Sequence, residues 1–267
     1  MFFQKNKKMK LGICYSVFDG YELLESSILA IRDEVDYIVV GYQEISYHNQ
    51  VANENIKKVL YDLKNKNLID EIYLYTPSFK VFPSREERRK RRIGLALAKK
   101  QGCNYFATMD CDEFYELEAF KKAKEFILQN NIKSSVVPMK DYVKEPIYQI
   151  ESIFYCPFIF KINLFSRLKK VKNFPIGVDG SRCVNTKANF YKFSENEILT
   201  HHMRYVRSNL EAKYTNRSNL VSFNQNQINC ILNEITNYQY PNDFIDYERN
   251  KHPYKVTKVD NIFNIKI

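Results

Sequence analysis

Tyr105-Phe-Ala-Thr-Met-Asp-Cys-Asp-Glu-Phe-Tyr115 is the stretch on which the reading of this chain turns. Its first five residues form a short apolar run, the mark of a buried strand, and two carboxylates one residue apart follow at its end. In an open α/β sheet, ligands bind outside the carboxyl ends of the strands, which puts Asp110 and Asp112 where a ligand sits. Alternate side chains at a strand end can aim at one point. Two hard carboxylate donors there suit Mg2+ or Mn2+ carrying a diphosphate.

The segments before this stretch alternate between strand and helix patterns, as in a βαβ sheet. Leu11–Val17 is apolar and stops at Phe18-Asp19-Gly20, a turn signal. Residues 21–32 set Leu23, Leu24, Ser27, Ile28 and Ile31 on one helical face. Residues 35–42 form a second strand, and 53–66 a helix with Ile56, Val59, Leu60 and Leu63 inward. A third strand over 71–76 is stopped by Pro77. Residues 84–100 form a strong helix, with Ser84 as N-cap, Glu87 at the reciprocal capping position, and Ile93 and Leu97 inward. Leu117–Gln129 is helical and Ser134–Val143 extended. A right-handed, parallel arrangement is the expectation for the strands of such units. Beyond about residue 145 aromatic residues crowd together and the helical period weakens, so further strands and loops should cover the site. Residues 210–236 read as helical, with Leu220, Ile228, Ile231, Leu232 and Ile235 as core positions, and a polar, tyrosine-rich tail follows.

Bulk properties narrow the classes. A 267-residue chain with 45% hydrophobic and 27% charged residues has the composition of an ordinary globular protein. No apolar stretch reaches the length of a membrane span, and the basic start lacks a signal-peptide core, so a cytoplasmic location is expected. The six cysteines are scattered without a Cys-x-x-Cys pair, so buried thiols are expected rather than disulfides or a zinc site. The net charge of +10 admits three partners: a phosphate-rich substrate, an anionic membrane surface or nucleic acid. Compositional bias toward lysine and asparagine is the bland alternative.

In its ordered set of motifs the chain resembles the GT-A glycosyltransferases, nearest to a bacterial group related to glycosyltransferase family 2. The residues that carry the resemblance are Leu11-Gly-Ile-Cys-Tyr-Ser-Val-Phe-Asp-Gly20, Tyr37-Ile-Val-Val-Gly-Tyr-Gln43, Arg91-Arg-Ile-Gly-Leu95, Met109-Asp-Cys-Asp-Glu-Phe-Tyr115 and Thr200-His-His-Met-Arg-Tyr-Val-Arg207. It covers roughly residues 8–215. The resemblance implies an α/β, Rossmann-like fold with a mixed, mostly parallel sheet flanked by helices. Residues 1–209 would form the GT-A domain, binding nucleotide sugar and acceptor, and 210–267 a C-terminal helical appendage and tail.

It also implies roles. Ser16, Phe18 and Asp19 would contact base and ribose, with Glu22 beside them, and Tyr42 and Gln43 would occupy the neighbouring crevice. From the basic run 85–92, Arg92, ahead of Arg88, would face the nucleotide, since arginine's fork matches phosphate oxygens; the other arginines read as a solvated face. Asp110 and Asp112 match the Asp-x-Asp motif, with Asp112 as direct ligand of Mn2+ or Mg2+ and Asp110 nearer ribose or metal. The metal would stabilise the leaving nucleoside diphosphate. A histidine often closes such a metal sphere. His201 and His202 are the candidates, but neighbours in an extended segment face opposite ways, so only one can serve, and the reading leans to His202. Arg204 and Arg207 suit the diphosphate or an anionic acceptor. Asp179, in Gly177-Val-Asp-Gly-Ser-Arg182, is the candidate general base and Asp141 the alternative. The Glu-Asp pair usual in family 2 is absent, which leaves the base and the stereochemistry open.

The activity so implied is metal-dependent sugar transfer from a nucleotide-sugar donor to a bacterial surface glycan, such as lipopolysaccharide or capsule, or to a lipid-linked precursor. Peripheral contact with the anionic inner membrane fits the basic excess. A nucleotidyl- or other phosphate-group transferase is the second reading, weakened by the lack of a glycine-rich phosphate loop. A basic nucleic-acid-binding protein is the third: its basic run lacks interleaved aromatics, and it has no use for Asp110 and Asp112. Oligomeric state is not legible.

Overall fold

The apolar runs and amphipathic segments up to residue 110 alternate in the folded chain as strands and helices. The computed structural model describes residues 8–186, 188–215, 224–249 and 251–267. β1 (Leu11–Val17), α1 (Leu24–Ile31), β2 (Tyr37–Tyr42), α2 (Asn55–Asn65), β3 (Glu71–Leu74), α3 (Pro83–Lys100) and β4 (Tyr105–Asp110) make up this half. The next elements are β5 (Glu113–Phe114), α4 (Leu117–Gln129), β6 (Ser134–Val143), β7 (Tyr148–Ile150) and β8 (Phe154–Lys161). β9 (Phe190–Lys192), β10 (Thr200–Tyr205), α5 (Leu210–Thr215) and α6 (Gln225–Asn237) follow. The chain closes with β11 (Phe244–Asp246), β12 (His252–Tyr254) and β13 (Val256–Lys258). Leu220 lies outside the described residues.

The main sheet runs β13-β7-β6-β8-β4-β1-β2-β3, with β9 and β10 also on β6 and β5 on β10. Strands β4, β1, β2 and β3 are mutually parallel, while β8 is antiparallel to both β4 and β6. This is the expected α/β class, a Rossmann-like sheet flanked by helices. The chain leaves β1 toward β2 and β3, then returns to put β4 on β1's other side. The order reverses between β1 and β4, and such a switch point opens a crevice at the carboxyl ends of its strands. Ser16 and Asp110 are register partners there.

Strand parity sorts the core into two layers. Leu11, Ile13, Tyr15 and Val17 face one cluster together with Leu24 and Ile28 of α1, Leu60 of α2 and Phe120 of α4. Cys14 and Val39 face the other, with Leu95 and Ala98 of α3 and Phe160 of β8. Each fully buried side chain of this size contributes about 2 kcal/mol. The same parity puts Ser16 and Asp110 on the α3 side.

Helix α3 departs from the expectation in start and phase. Its N-cap is Phe82 with Pro83 at the first position, so Ser84 lies inside the helix and caps nothing. Proline's fixed φ and missing N–H suit that first position. The buried stripe is Glu87, Lys90, Arg91, Gly94, Leu95 and Ala98, whereas Ile93 is exposed. Small residues decide this phase. A Cβ on Gly94 would stand 2.2 Å from Cys14 Sγ, and one on Gly12 2.8 Å from Ala98 Cβ, so the glycines let α3 lie directly on β1.

The C-terminal segments pack onto the sheet. Tyr214, Ile228, Ile231 and Ile235 share a cluster with Val143, Ile150 and Tyr205. β13 extends the sheet beyond β7, and Phe263 lies 5.0 Å from Phe114, ring to ring. All six cysteines are free and only Cys230 is exposed. Among the described residues no helix is long and apolar enough to cross a membrane.

Candidate active site

A cavity of about 540 Å3 opens at the β1/β4 switch point. Ser16, Phe18 and Asp19 border it from the end of β1, Gln43 from the end of β2, and Asp110 and Asp112 from the end of β4. Glu87, Lys90 and Arg91 enter from α3, Asp179 from the loop before β9, and His202, Arg204, Arg207 and Lys213 from β10 and beyond. Five carboxylates thus face five lysines and arginines, a lining that suits a highly polar, charged ligand and excludes an apolar one.

Two ionic groups make up the lining. In the first, Arg91 donates from Nη2 to Asp110 Oδ1 at 2.9 Å, from Nη1 to Asp179 Oδ2 at 3.2 Å, and to Ser181. Arg182 joins Asp110 to Glu113, donating from Nη1 to Glu113 Oε2 at 2.8 Å. Burial pushes the Asp110 carboxyl up, but Arg182 and Arg91 outweigh it and hold it below its ordinary range. Asp179 behaves alike: against burial, Arg91 and Arg182 bring it down to about 2. Half of its side chain is open, so water screens part of that pairing.

The second group centres on Asp112. Its Oδ2 meets Arg207 Nη2, His202 Nε2 at 3.2 Å and Lys213 Nζ at 3.3 Å. These three cations overcome burial and hold Asp112 well below the carboxylate range. Arg207 also donates to Asp19 Oδ1 at 2.9 Å. Gly20, at φ +65°, makes room for it, since a Cβ there would stand 2.7 Å from Arg207 Nη1. Burial and Arg207 lower Lys213 to about 8. Behind His202, its Nδ1 meets the buried Asp141 at 2.7 Å, and Asp141 also accepts from Arg204 and Arg249. Burial works against the imidazolium, yet Asp112 and Asp141 raise the His202 pKa.

Ser16 Oγ and the Nε atoms of Arg91, Arg204 and Arg207 are buried without a hydrogen-bond partner among the described residues. Buried polar groups are normally satisfied, so these point to a ligand or water in the cavity.

The donor set also bears on a divalent cation. Asp112 and His202 converge, and a ligating histidine whose other nitrogen rests on a carboxylate is the usual metal-site arrangement. Among the described residues no group of three His, Cys, Asp or Glu side chains is placed to hold an ion. Mg2+ and Mn2+ working on phosphates need only one or two protein ligands, with phosphate and water oxygens completing the shell. The residues therefore fit a cation that arrives with a diphosphate, not one caged by protein alone.

Of the residues singled out from sequence, Ser16, Phe18, Asp19, Gln43, Asp110, Asp112, Asp179, His202, Arg204 and Arg207 line one cavity. The others lie elsewhere. Tyr42 points into the α1/α2 core, opposite in parity to the site. Arg92 lies on the outer face of α3, donating to the Leu168 carbonyl at 2.9 Å, while Arg91 takes the inward position. Asp141 is fully buried behind His202. His201 faces away, its Nδ1 2.7 Å from the Tyr142 hydroxyl. Lys90, Arg91, Glu87, Arg182 and Lys213 were not anticipated. The Gly94/Ala98 pair is the sequence signal that sets the helix phase and could have found the first three; nothing local marks Arg182 or Lys213.

No protein-family model matches the chain, and no curated protein matches it. Among solved structures, S. aureus TarS aligns with 50% of the chain and 22% of its own length, at 15% identity and a TM-score of 0.37. GalNAc-T7 with UDP, GalNAc and Mn2+ aligns with 51% of the chain and 24% of its own, at 13% identity and a TM-score of 0.37. Mannose-1-phosphate geranyltransferase from Thermus thermophilus aligns with 58% and 51%, at 15% identity and a TM-score of 0.33. The chain therefore spans about a fifth to a half of the length of these proteins.

Proposed function

We propose that the chain is a metal-dependent glycosyltransferase, moving a sugar from a nucleotide-sugar donor to a bacterial surface glycan or its lipid-linked precursor. One observation carries the reading: Asp110 and Asp112 leave β4 at the switch point, and Asp112 meets His202 inside an ionic cavity. Ser16, Phe18, Asp19 and Gln43 take the nucleoside side, with Asp110 toward the ribose. Arg204, Arg207 and Lys213 turn to the diphosphate. Asp112 and His202 would hold Mn2+ or Mg2+, which would supply Lewis-acid stabilisation of the leaving group. Asp141 acts as a positioning residue for His202.

Asp179 is the carboxylate assigned to the acceptor hydroxyl. Its pairing with Arg91 and Arg182 keeps it ionised and makes it a weak base, so it takes the proton late, once the acceptor oxygen is bonding to the sugar.

The test is thermal unfolding against a panel of nucleoside diphosphates and nucleotide sugars, with and without Mn2+. Ligand at a hundred times its dissociation constant adds about 2.7 kcal/mol, so one base should stand out and Mn2+ should enlarge its shift. No shift with any nucleotide overturns the donor site. Product analysis then separates transferase classes: release of a nucleoside diphosphate supports sugar transfer, and pyrophosphate would indicate nucleotidyl transfer.

A further inference from the structure

The turn that follows β8 carries an adjacent pair of strongly exposed large apolar side chains: Leu164 and Phe165 are 86% and 82% exposed. Their exposure is not the looseness of a slack loop. Asn163 Oδ1 accepts from the Phe165 N–H at 2.9 Å, and Ser166 Oγ accepts from the Asn163 N–H at 2.9 Å. Lys99 of α3 clamps the turn from below, donating to the Leu164 and Ser166 carbonyls. A well-bonded turn thus holds two apolar side chains out in water, where each loses the stabilisation that burial would give.

The surroundings of this pair are basic. Arg92 on the outer face of α3, the half-buried Arg88 one turn before it, and Arg167, Lys169 and Lys170 after the turn form no ion pair among the described residues. The acidic residues of α3, Glu86 and Glu87, are both buried. Arg92 donates to the Leu168 carbonyl, so helix and turn form one continuous face. An apolar tip followed in the same segment by exposed, unpaired cations matches the boundary of an anionic bilayer, where acyl chains lie beneath negative headgroups.

We propose that residues 163–172, with the outer face of α3, dock this protein on an anionic membrane surface, Leu164 and Phe165 entering the headgroup region. A polyanion such as nucleic acid would use the cations but leave the apolar pair without a role. The same segment continues to the cavity: Lys170 packs against Gly180, the neighbour of Asp179. Docking here would bring lipid close to the rim of the site. Vesicle binding tests this surface and nucleotide binding tests the transfer reaction, so either can fail alone.

The experiment is co-sedimentation of the full chain with phosphatidylcholine vesicles, with and without phosphatidylglycerol, at low and high salt, the anionic lipid supplying the negative surface potential that attracts basic segments. Binding should require phosphatidylglycerol and weaken in high salt. Lys169→Gln/Lys170→Gln should lower it about tenfold or more, at about fivefold for each basic residue. Leu164→Ser/Phe165→Ser should lower it at least about tenfold, with unchanged thermal unfolding and unchanged nucleotide binding. Equal binding by the serine variant and the parent overturns the proposal. So does absence of binding to anionic vesicles, or a solution dimer that the serine variant dissolves. Binding to a random oligonucleotide that competes with vesicles, and that the serine variant retains, would reassign the face to a polyanion.

Discussion

His202 stands on Asp141: their side chains meet at 2.7 Å, directly across the β6–β10 pairing, and the far nitrogen of the ring faces Asp112 at 3.2 Å. A fully buried carboxylate thereby sets the orientation of an imidazole at the cavity wall. Asp141→Asn keeps the shape but removes the charge shared by His202, Arg204 and Arg249. Transfer should fall about 10- to 100-fold, as for other partners behind a ligating histidine. Stability should drop by about 3 kcal/mol in urea denaturation, because His202 and two partly buried arginines lose their shared counter-ion at a fully buried position. Unchanged turnover would remove Asp141 from the machinery.

Asp112 is the carboxylate on which the cation assignment rests. In Asp112→Asn, a nucleoside diphosphate should still bind through Arg207 and Lys213, yet Mn2+ should no longer tighten it. Transfer should fall by at least about a hundredfold. Calorimetric titration with and without Mn2+ reads the difference. A metal effect that survives would mean another group holds the cation.

Arg91 and Arg92 are neighbours with opposite fates. Arg91→Met strands Asp110, Asp179 and Glu87 in the cavity and should cost about 3 kcal/mol of stability together with donor affinity. Arg92→Met loses one hydrogen bond to a carbonyl on the exposed face and should cost about 1 kcal/mol, with donor affinity intact. Matching donor affinities in the two variants would contradict this geometry.

His201 supplies a pH signature separate from the site. Burial, then the Lys140 charge, lower it to about 4, below the ordinary 6.5. The unfolded chain therefore takes up the proton first. This contribution to stability is complete above pH 6.5 and declines as pH falls toward 4, by roughly 3 kcal/mol in all. His201→Gln cannot titrate and should flatten that part of the profile relative to the parent. Parallel profiles would show that His201 is protonated without penalty.

Gly94 tests the contact between α3 and β1. Adding the alanine methyl places it 2.2 Å from Cys14 Sγ, so helix or strand must shift. Overpacking of this kind costs about 1–3 kcal/mol. Because Lys90 and Arg91 ride on the same helix, donor affinity should fall along with unfolding temperature. A stable variant with normal affinity would show that α3 can move without disturbing the site.

Much was legible along the chain because local signals carry it. The runs Leu11–Val17 and Tyr105–Asp110 bury side chains on both faces of a sheet, which requires an unbroken apolar stretch. Asp19-Gly20 and the two aspartates after Met109 stand at strand ends, and in an α/β sheet strand ends are where ligands gather. Even the parity of His201 and His202 follows from alternation along a strand. These features need only the residue and its immediate neighbours.

The rest depended on which surfaces met. The apolar pair Ile93 and Leu97 suggested one phase for α3, but Gly94 and Ala98 fit more closely on Gly12 and Cys14, and that contact turned Arg91, not Arg92, to the site. Arg182 and Lys213 lie 72 and 101 residues from the aspartates they meet, in segments with no local pattern to mark them. Sequence alone determined the strands of the parallel half, the strand ends that carry the site and the acidic pair, because backbone periodicity is a local property. Only the tertiary structure decided which cations face those carboxylates, because close packing and the pairing of buried charges are settled between segments far apart in the chain.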